Sequence, residues 1–219
     1  MIKACIFDMD GTLVSTLDTY SKAYYAVLND AGVAITREEV MPKFGKSAEG
    51  IISELIKDKG KNPEDYDMGG LIHQVRQRFI DHVEEVEPLP GVVDLLEEVK
   101  CKYKTAVATS SKRYAINVVL KRLNLLGYFD EIITQCDVKN GKPEPDIFLE
   151  AARKLNVGPN SCLVFEDSVF GIDAANRAGM HSVAVLTGSS SFEELKGFNP
   201  DVIVKTLADF DMAEVSKLF

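Results

Sequence analysis

Short apolar runs rich in β-branched residues recur along the chain, and helical patterns separate most of them. A continuous apolar run of this length indicates a strand buried on both faces, because a half-solvated strand would alternate apolar and polar residues. Such strands, alternating with helices, predict a doubly wound α/β fold with a parallel sheet. The predicted strands are Ile2 to Phe7, Thr105 to Ala108, Glu131 to Thr134, Cys162 to Phe165, Val183 to Leu186 and Val202 to Val204.

One interval breaks this rhythm. About 75 residues between the first strand and Gly91 lack a strand pattern, and a simple crossover between strands is much shorter. We therefore expect an all-helical domain at residues 15–87, inserted into an α/β (Rossmann-like) core of residues 1–14 and 88–219. Periodic apolar positions and stop signals predict helices at Leu17 to Asp30, Arg37 to Lys43, Glu49 to Lys59 and Gly70 to Val86 in the insert, and at Arg113 to Leu126 and Asp146 to Leu155 in the core.

Polar side chains follow four of the predicted strands, at the edge where open α/β sheets bind ligands. Asp8 and Asp10 are two positions apart, so an extended chain would point both to the same side. Each group alone has a simple structural explanation, such as a turn at Asp10-Gly11 or a helix cap at Ser110 or Ser111. Carboxylates that share one rim, however, require a cation. The polar residues are Asp8, Asp10, Thr109, Ser110, Ser111, Lys112, Lys142, Glu166 and Asp167.

A divalent cation and a phosphate group would explain this combination. Mg²⁺ prefers carboxylate, water and phosphate oxygens, so Asp8 and Asp167 are candidate ligands. Lys142, with a hydroxyl from Thr109 or Ser110, can hold further phosphate oxygens. Of two neighbouring aspartates, one can attack phosphorus to form an aspartyl-phosphate, while the other protonates the leaving oxygen and later activates water. These residues predict phosphoryl transfer from a small phosphorylated metabolite.

Four segments are similar, in order and type, to the four motifs of the haloacid dehalogenase superfamily, and the tracts GKPEPDIFLEAARKLNV and CLVFEDSVFGIDAANRAGM resemble its β-phosphoglucomutase-like phosphatase branch. The segments are Asp8-x-Asp10-Gly11-Thr12-Leu13-Val14, Thr109-Ser110, Lys142-Pro143 and Glu166-Asp167. The resemblance implies that the helical insert is a cap domain, that Asp8 is the nucleophile and that Asp10 is the acid/base. It also implies Mg²⁺ ligation by the Asp8 side chain, the Asp10 carbonyl and Asp167, with Glu166 close by, and phosphate contacts from Ser110 and Lys142.

The helical insert carries the evidence on reaction type. Sugar-phosphate mutases of this branch usually have a His in the first cap helix and a Gly-x-Ser-Arg loop, whereas this chain has Tyr20 and Gly45-Lys46-Ser47-Ala48 at these places. The acid that usually follows the first motif is replaced by Ser15. We therefore expect a phosphatase of sugar phosphates or phosphoglycolate-like acids, with a β-phosphoglucomutase as the alternative. Lys46 and Tyr20 are candidates for substrate selection.

Two other functions are weaker candidates. A nucleotide-binding P-loop at Gly45-Lys46-Ser47 would need a Gly five residues before Gly45, where Val40 stands. A signalling receiver that is phosphorylated on aspartate would share the parallel sheet, Mg²⁺, a hydroxyl and a lysine. Receivers, however, lack a helical insert, and their phosphorylated Asp lies on a later strand than the first acidic pair.

Composition limits the partners. The formal net charge of -9 over 219 residues argues against a nucleic-acid partner. No apolar run is long enough to span a bilayer, and the first residues do not form a signal-peptide pattern. Four widely spaced cysteines without a Cys-x-x-Cys pair indicate neither a disulfide framework nor a zinc site. We expect a cytoplasmic, monomeric enzyme that acts on a small phosphorylated metabolite, with no membrane partner.

Overall fold

The computed structural model describes residues 1–44 and 46–213 of the chain. They form two compact units: one is made of Met1–Ser15 and the chain from Pro88 onward, and the other of Thr16–Glu87. No helix in these described ranges combines the length and apolarity that crossing a bilayer requires. The helices are α1 Leu17–Asp30, α2 Arg37–Val40, α3 Ala48–Asp58, α4 Met68–Asp81, α5 Val92–Lys100, α6 Arg113–Arg122, α7 Asp146–Leu155, α8 Val169–Arg177 and α9 Phe192–Lys196.

The first unit is built on a parallel sheet, which confirms the predicted α/β class. Its described strands are β1 Ala4–Phe7, β2 Lys104–Thr109, β3 Glu131–Thr134, β4 Cys162–Glu166, β5 His181–Val185 and β6 Val202–Val204. They lie in the order β3-β2-β1-β4-β5-β6, and every adjacent pair is parallel. The chain thus fills one side of β1 with β2 and β3 and then the other side with β4 to β6. Ligands of such sheets bind at the carboxyl ends of the strands where this reversal occurs.

The two faces of the sheet bury different residues. Ala4 and Ile6 of β1 belong to a buried cluster with α7 and α8. The alternate residue Phe7 lies on the opposite face, where its ring stacks on Phe165 of β4 at a centroid distance of 4.6 Å. Because both faces are buried, β1 is apolar at every position and β4 is apolar up to its last residue, Glu166, and this produces the continuous apolar runs in the sequence.

The second unit contains α1 to α4 and has its own apolar core. Residues from α1, α3 and α4 pack together there, including Val27, Ile52 and Val75. One predicted helix of this unit is divided in the structure. The segment Arg37 to Lys43 divides into α2 and a 3-10 turn at Met41–Lys43, in which Pro42 lacks the N–H that would continue the α-helix.

Two further predicted helices have different bounds in the structure. The helix predicted over Gly70 to Val86 begins at Met68, because the Asp67 side chain accepts a hydrogen bond from Gly70 N at 3.0 Å, and it ends at Asp81. The helix predicted over Arg113 to Leu126 ends at Arg122. Asn124 has a φ of 58°, a left-handed conformation that terminates helices.

Candidate active site

Strand register brings the first acidic residue to the reversal point of the sheet. Phe7, the last residue of β1, is level with Val107 of β2 and Phe165 of β4. Asp8 follows, and its N–H donates to Phe165 O at 2.9 Å, so the backbone continues the β4 pairing by one residue. The Asp8 side chain is 9% exposed. A carboxylate is therefore held in an almost dry position at the edge of the sheet.

Lys142 connects this carboxylate to the end of β4. Its Nζ donates to Asp8 Oδ1 and to Glu166 Oε1, each at 2.6 Å, and to Ala108 O at 3.2 Å. The Lys142 side chain is only 5% exposed, and its amine lies 5.0 Å from the centre of the Phe148 ring. A cis peptide bond joins Lys142 to Pro143. The predicted Lys142 thus lies within the acidic cluster and links two of its members.

Glu166 uses both of its carboxylate oxygens. Besides the contact with Lys142, its Oε2 accepts hydrogen bonds from Ser168 N at 2.7 Å and Ser168 Oγ at 2.9 Å. A Cβ on Gly171 would lie 1.9 Å from the Glu166 carboxyl. The first turn of α8 therefore leaves room for the Glu166 side chain only because residue 171 is a glycine. Ser168 is also the N-cap of α8, where its Oγ accepts a hydrogen bond from Gly171 N at 3.1 Å. Glu166 therefore anchors Lys142.

Asp167 lies between two glycines. Its Oδ1 accepts a hydrogen bond from Thr12 Oγ1 at 3.0 Å. A Cβ on Gly11 would lie 2.6 Å from its Oδ2, and one on Gly188 would lie only 1.7 Å away. Thr187 Oγ1 donates to Gly11 O at 2.6 Å and so ties the loop after β5 to the loop after β1. Thr187 and Gly188 were missed from the sequence, although they follow a predicted strand at this same edge.

Asp10 contacts the loop after β2. Ser111 Oγ donates to Asp10 Oδ2 at 2.5 Å, and Thr109 Oγ1 lies 3.5 Å from the same oxygen. Ser111 N also donates to Thr109 Oγ1 at 3.0 Å. Lys112, rather than a serine, is the N-cap of α6, so capping does not explain the serines. Ser110 is exposed at this edge. The predicted residues of the core thus come together, and Ser111 joins them.

Burial and like charge disfavour the ionised carboxylates. Burial, with help from Glu166 and Asp10, raises the pKa of Asp8 to about 7 despite the opposing effect of Lys142. Burial, Glu166 and Asp8 also raise the pKa of Asp167 well above its ordinary value. Burial would lower the pKa of Lys142, but Asp8 and Glu166 outweigh it and raise that pKa. One buried amine faces several carboxylates, so the site favours a further cation.

The donor set fits Mg²⁺ bound largely through water and substrate. Within the described ranges, no three His, Cys, Asp or Glu side chains converge as a complete metal site. Mg²⁺ usually takes only one or two carboxylates and keeps waters or phosphate oxygens. The described hydrogen bonds engage one oxygen each of Asp8 and Asp167, through Oδ1, but both oxygens of Glu166. Asp8 and Asp167 therefore fit the ion better than Glu166 does.

Two candidate selectivity residues lie in the helical unit. Tyr20 stacks on Phe79, with ring centroids 3.9 Å apart and an angle of 5° between the planes. Lys46 forms an ion pair with Glu54, which also accepts from Lys43 at 2.9 Å. The Lys46 side chain is nevertheless 47% exposed. Gly45, the start of the predicted loop motif, lies outside the described residues.

Comparison with known proteins identifies the family. A model of haloacid dehalogenase-like hydrolases matches residues 5–185. The chain belongs to this family. A curated relative, the fructose-1-phosphate phosphatase YqaB of Escherichia coli (strain K12), is 36% identical over 184 residues, which cover 82% of this chain and 94% of that protein. The β-phosphoglucomutase of Bacillus subtilis (strain 168) is 28% identical over 216 residues, with coverages of 96% and 92%.

Solved structures agree with this membership. The β-phosphoglucomutase (pgmB) of Clostridium difficile is 29% identical and has a TM-score of 0.86, covering 100% of this chain and 97% of that chain. CbbY of Rhodobacter sphaeroides, solved in complex with phosphate, is 26% identical and has a TM-score of 0.87, with coverages of 99% and 100%. The resemblance inferred from the motifs is thereby confirmed for the family and for the β-phosphoglucomutase-like branch.

Proposed function

We propose that this hydrolase is a Mg²⁺-dependent phosphatase of small phosphorylated metabolites that forms an aspartyl-phosphate on Asp8. The observation that carries the proposal is the pairing of a buried Asp8, bonded to Lys142, with a second aspartate, Asp10, held by hydroxyls of the next loop. A nucleophile and a separate proton donor are the two groups that phosphate-ester hydrolysis through a covalent intermediate requires.

The reaction has two displacements at phosphorus. In the first, an Asp8 oxygen bonds to phosphorus, the ester P–O bond breaks, and Asp10 gives its proton to the leaving oxygen. In the second, a water oxygen bonds to phosphorus, Asp10 takes the water proton, and the bond from Asp8 to phosphorus breaks. Alcohol and inorganic phosphate are released, and both aspartates return to their first state.

Several groups would hold the phosphate during these displacements. Bound Mg²⁺, which Asp8, Asp167 and the Asp10 carbonyl would hold, supplies positive charge to the phosphate oxygens. Lys142 adds a second charge beside the nucleophile, and Glu166 fixes its amine. We assign the exposed Ser110 hydroxyl to a phosphate oxygen, while the Thr109 hydroxyl is engaged with Ser111 and Asp10.

A sugar-phosphate mutase is the second candidate, because relatives and structures named β-phosphoglucomutase match nearly the whole chain. Tyr20 and Ala48, at places where such mutases usually carry His and Arg, favour the phosphatase, as does the higher identity to a sugar phosphatase. Sugar phosphates and phosphoglycolate-like acids are the proposed substrates, with Lys46 and Tyr20 as selectivity residues of a cap. The free cysteines support a reducing, cytoplasmic location, and we propose a monomer.

Phosphorus NMR tests the proposal. The protein is incubated with Mg²⁺ and β-glucose 1-phosphate that is primed with a trace of the bisphosphate. Growth of inorganic phosphate is expected for a phosphatase, whereas growth of glucose 6-phosphate would make the mutase the correct reaction. EDTA should stop either reaction, and activity that persists without metal would contradict the proposed site.

The nucleophile is tested by Asp8→Asn. Turnover should fall by at least about a thousandfold, because an amide cannot form the covalent intermediate. The matched control is Asp94→Asn on the exposed side of α5, which should keep full activity. Circular dichroism verifies that both variants are folded. Near-normal turnover of a folded Asp8→Asn protein would refute the assignment.

A further inference from the structure

The loop after β5 is joined to the loop after β1 by one hydroxyl. Thr187 Oγ1 donates to Gly11 O at 2.6 Å, although the two residues are 176 positions apart in the chain. Both loops border the buried Asp167 carboxylate, since a Cβ on Gly11 would lie 2.6 Å from its Oδ2 and a Cβ on Gly188 would lie 1.7 Å from it. Thr187 therefore holds together two backbone segments that pack against the same side chain.

The same hydrogen bond fixes the peptide group between Gly11 and Thr12. Gly11 has a φ of 90°, and a glycine restrains its own backbone less than any other residue does. Because a peptide group is planar, the hydroxyl that holds Gly11 O also orients the peptide from which Thr12 continues. Thr12 Oγ1 in turn donates to Asp167 Oδ1 at 3.0 Å. One hydroxyl thus supports the contacts of both Asp167 oxygens, that of Oδ1 with Thr12 and that of Oδ2 with Gly188.

The loop after β5 gives Thr187 a fixed base. On one side of Thr187, Leu186 N donates to Val204 O at 3.0 Å, which ties the loop to β6. On the other side, Ser190 Oγ accepts from Val169 N at 3.3 Å, which ties the loop to the first turn of α8. The sheet and α8 therefore both resist a displacement of the Thr187 hydroxyl.

We infer that Thr187 is a positioning residue for the Asp167 carboxylate, an inference that rests on the proposed Mg²⁺-dependent phosphatase function. The Thr187 hydroxyl holds the peptide between Gly11 and Thr12 on one side of Asp167 and Gly188 on the other. The carboxylate is thereby presented to the cation in one orientation. Without this hydroxyl, Gly11 O loses its Thr187 donor, the two loops can move apart, and Asp167 binds the cation less tightly.

Binding of Mg²⁺ to the protein without substrate tests this role. The free energy of unfolding in urea is measured at increasing Mg²⁺ concentrations, and its rise gives an apparent dissociation constant. Thr187→Val keeps the shape of the side chain but removes the hydroxyl, and it should raise this constant about three- to tenfold, the effect of one net hydrogen bond. Thr187→Ser keeps the donor and should stay within about twofold of the wild type. At saturating Mg²⁺, Thr187→Val should release phosphate from p-nitrophenyl phosphate with nearly the wild-type kcat, because the reacting groups are unchanged.

Thr105→Val is the matched control. Thr105 Oγ1 also donates to a backbone carbonyl at 2.6 Å, that of Tyr128, but Thr105 lies at the amino-terminal end of β2. This variant should lose stability as Thr187→Val does and keep the wild-type Mg²⁺ constant. If Thr187→Val does not fold, Thr187→Ala, which also lacks the hydroxyl, replaces it in the same measurement.

Three results would refute the positioning role: an unchanged Mg²⁺ constant in folded Thr187→Val, an equal rise in Thr105→Val, or a Thr187→Ser protein that binds as weakly as Thr187→Val. A wild type that neither binds Mg²⁺ nor releases phosphate overturns the proposed function and this inference with it. A wild type that does both, while Thr187→Val binds Mg²⁺ equally well, overturns this inference alone.

Discussion

Gly188→Ala should weaken the proposed Mg²⁺ site at Asp167 while leaving the fold in place. A Cβ at this position would lie 1.7 Å from Asp167 Oδ2, 2.3 Å from its Cγ and 2.5 Å from its Cβ. Ordinary contact begins at 3.4 Å, and even Asp167 Cβ lies 2.5 Å away, so rotating the carboxylate is not enough and the Asp167 side chain as a whole or the loop after β5 must shift. Bonds from Mg²⁺ to oxygen tolerate little variation around about 2.1 Å, so a ligand displaced this far is lost. Overpacking of this kind costs about 1–3 kcal/mol of stability.

The assay is the Mg²⁺ concentration that gives half-maximal phosphate release. We expect Gly188→Ala to raise it at least about tenfold, which is already the effect of disturbing a group behind a metal ligand. Gly127→Ala is the control, because a Cβ there meets no atom within 4 Å and the backbone is not left-handed. Urea unfolding of both variants separates loss of metal from loss of fold. An unchanged Mg²⁺ requirement in a folded Gly188→Ala protein would refute the role of Asp167.

Two further predictions concern charge. Lys142→Met should lower the free energy of unfolding, measured in urea, by about 3–5 kcal/mol, because Asp8 and Glu166 lose their buried counter-ion. An unchanged free energy of unfolding would show that another group neutralises the two carboxylates. Without metal, the pKa of Asp8 in the folded protein is about 7, whereas the ordinary pKa of this group is 3.8. Between these two pH values the folded protein holds a proton on Asp8 that the unfolded chain has released. The free energy of unfolding should therefore fall by roughly 4 kcal/mol as pH rises through this window. The stabilisation by Mg²⁺ should be larger at pH 8 than at pH 5. Equal stabilisation at the two pH values would contradict the assignment of Asp8 as a metal ligand.

Much of the fold could be predicted because its signals are local. A strand buried on both faces is mostly apolar, so the central strands are visible as short apolar runs in the sequence. The carboxyl ends of parallel strands meet at one edge of the sheet. From this rule we predicted that Asp8, Asp10, Lys142 and Asp167 lie in a common site. Helix ends were less accurate, as at Asp81 and Arg122, because capping and left-handed residues act over only a few positions.

The contacts within the site required the tertiary structure. Glu166 is an acid beside other acids in the sequence, yet both of its oxygens are used by Lys142 and Ser168. The contact between Ser111 and Asp10 joins residues 101 positions apart. Such pairings depend on strand register and on the path of each loop, which composition and spacing do not encode.

The sequence by itself therefore determined the class of fold and the family, and it supplied the candidate reacting groups, because these depend on residue types in a fixed order along the strands. Only the tertiary structure decided that Lys142 engages Oδ1 of Asp8, that Thr12 engages Oδ1 of Asp167, and that both oxygens of Glu166 are used. It also decided that Thr187 and Gly188 close the site, since the approach of one loop to another is set by packing over distances that no local pattern records.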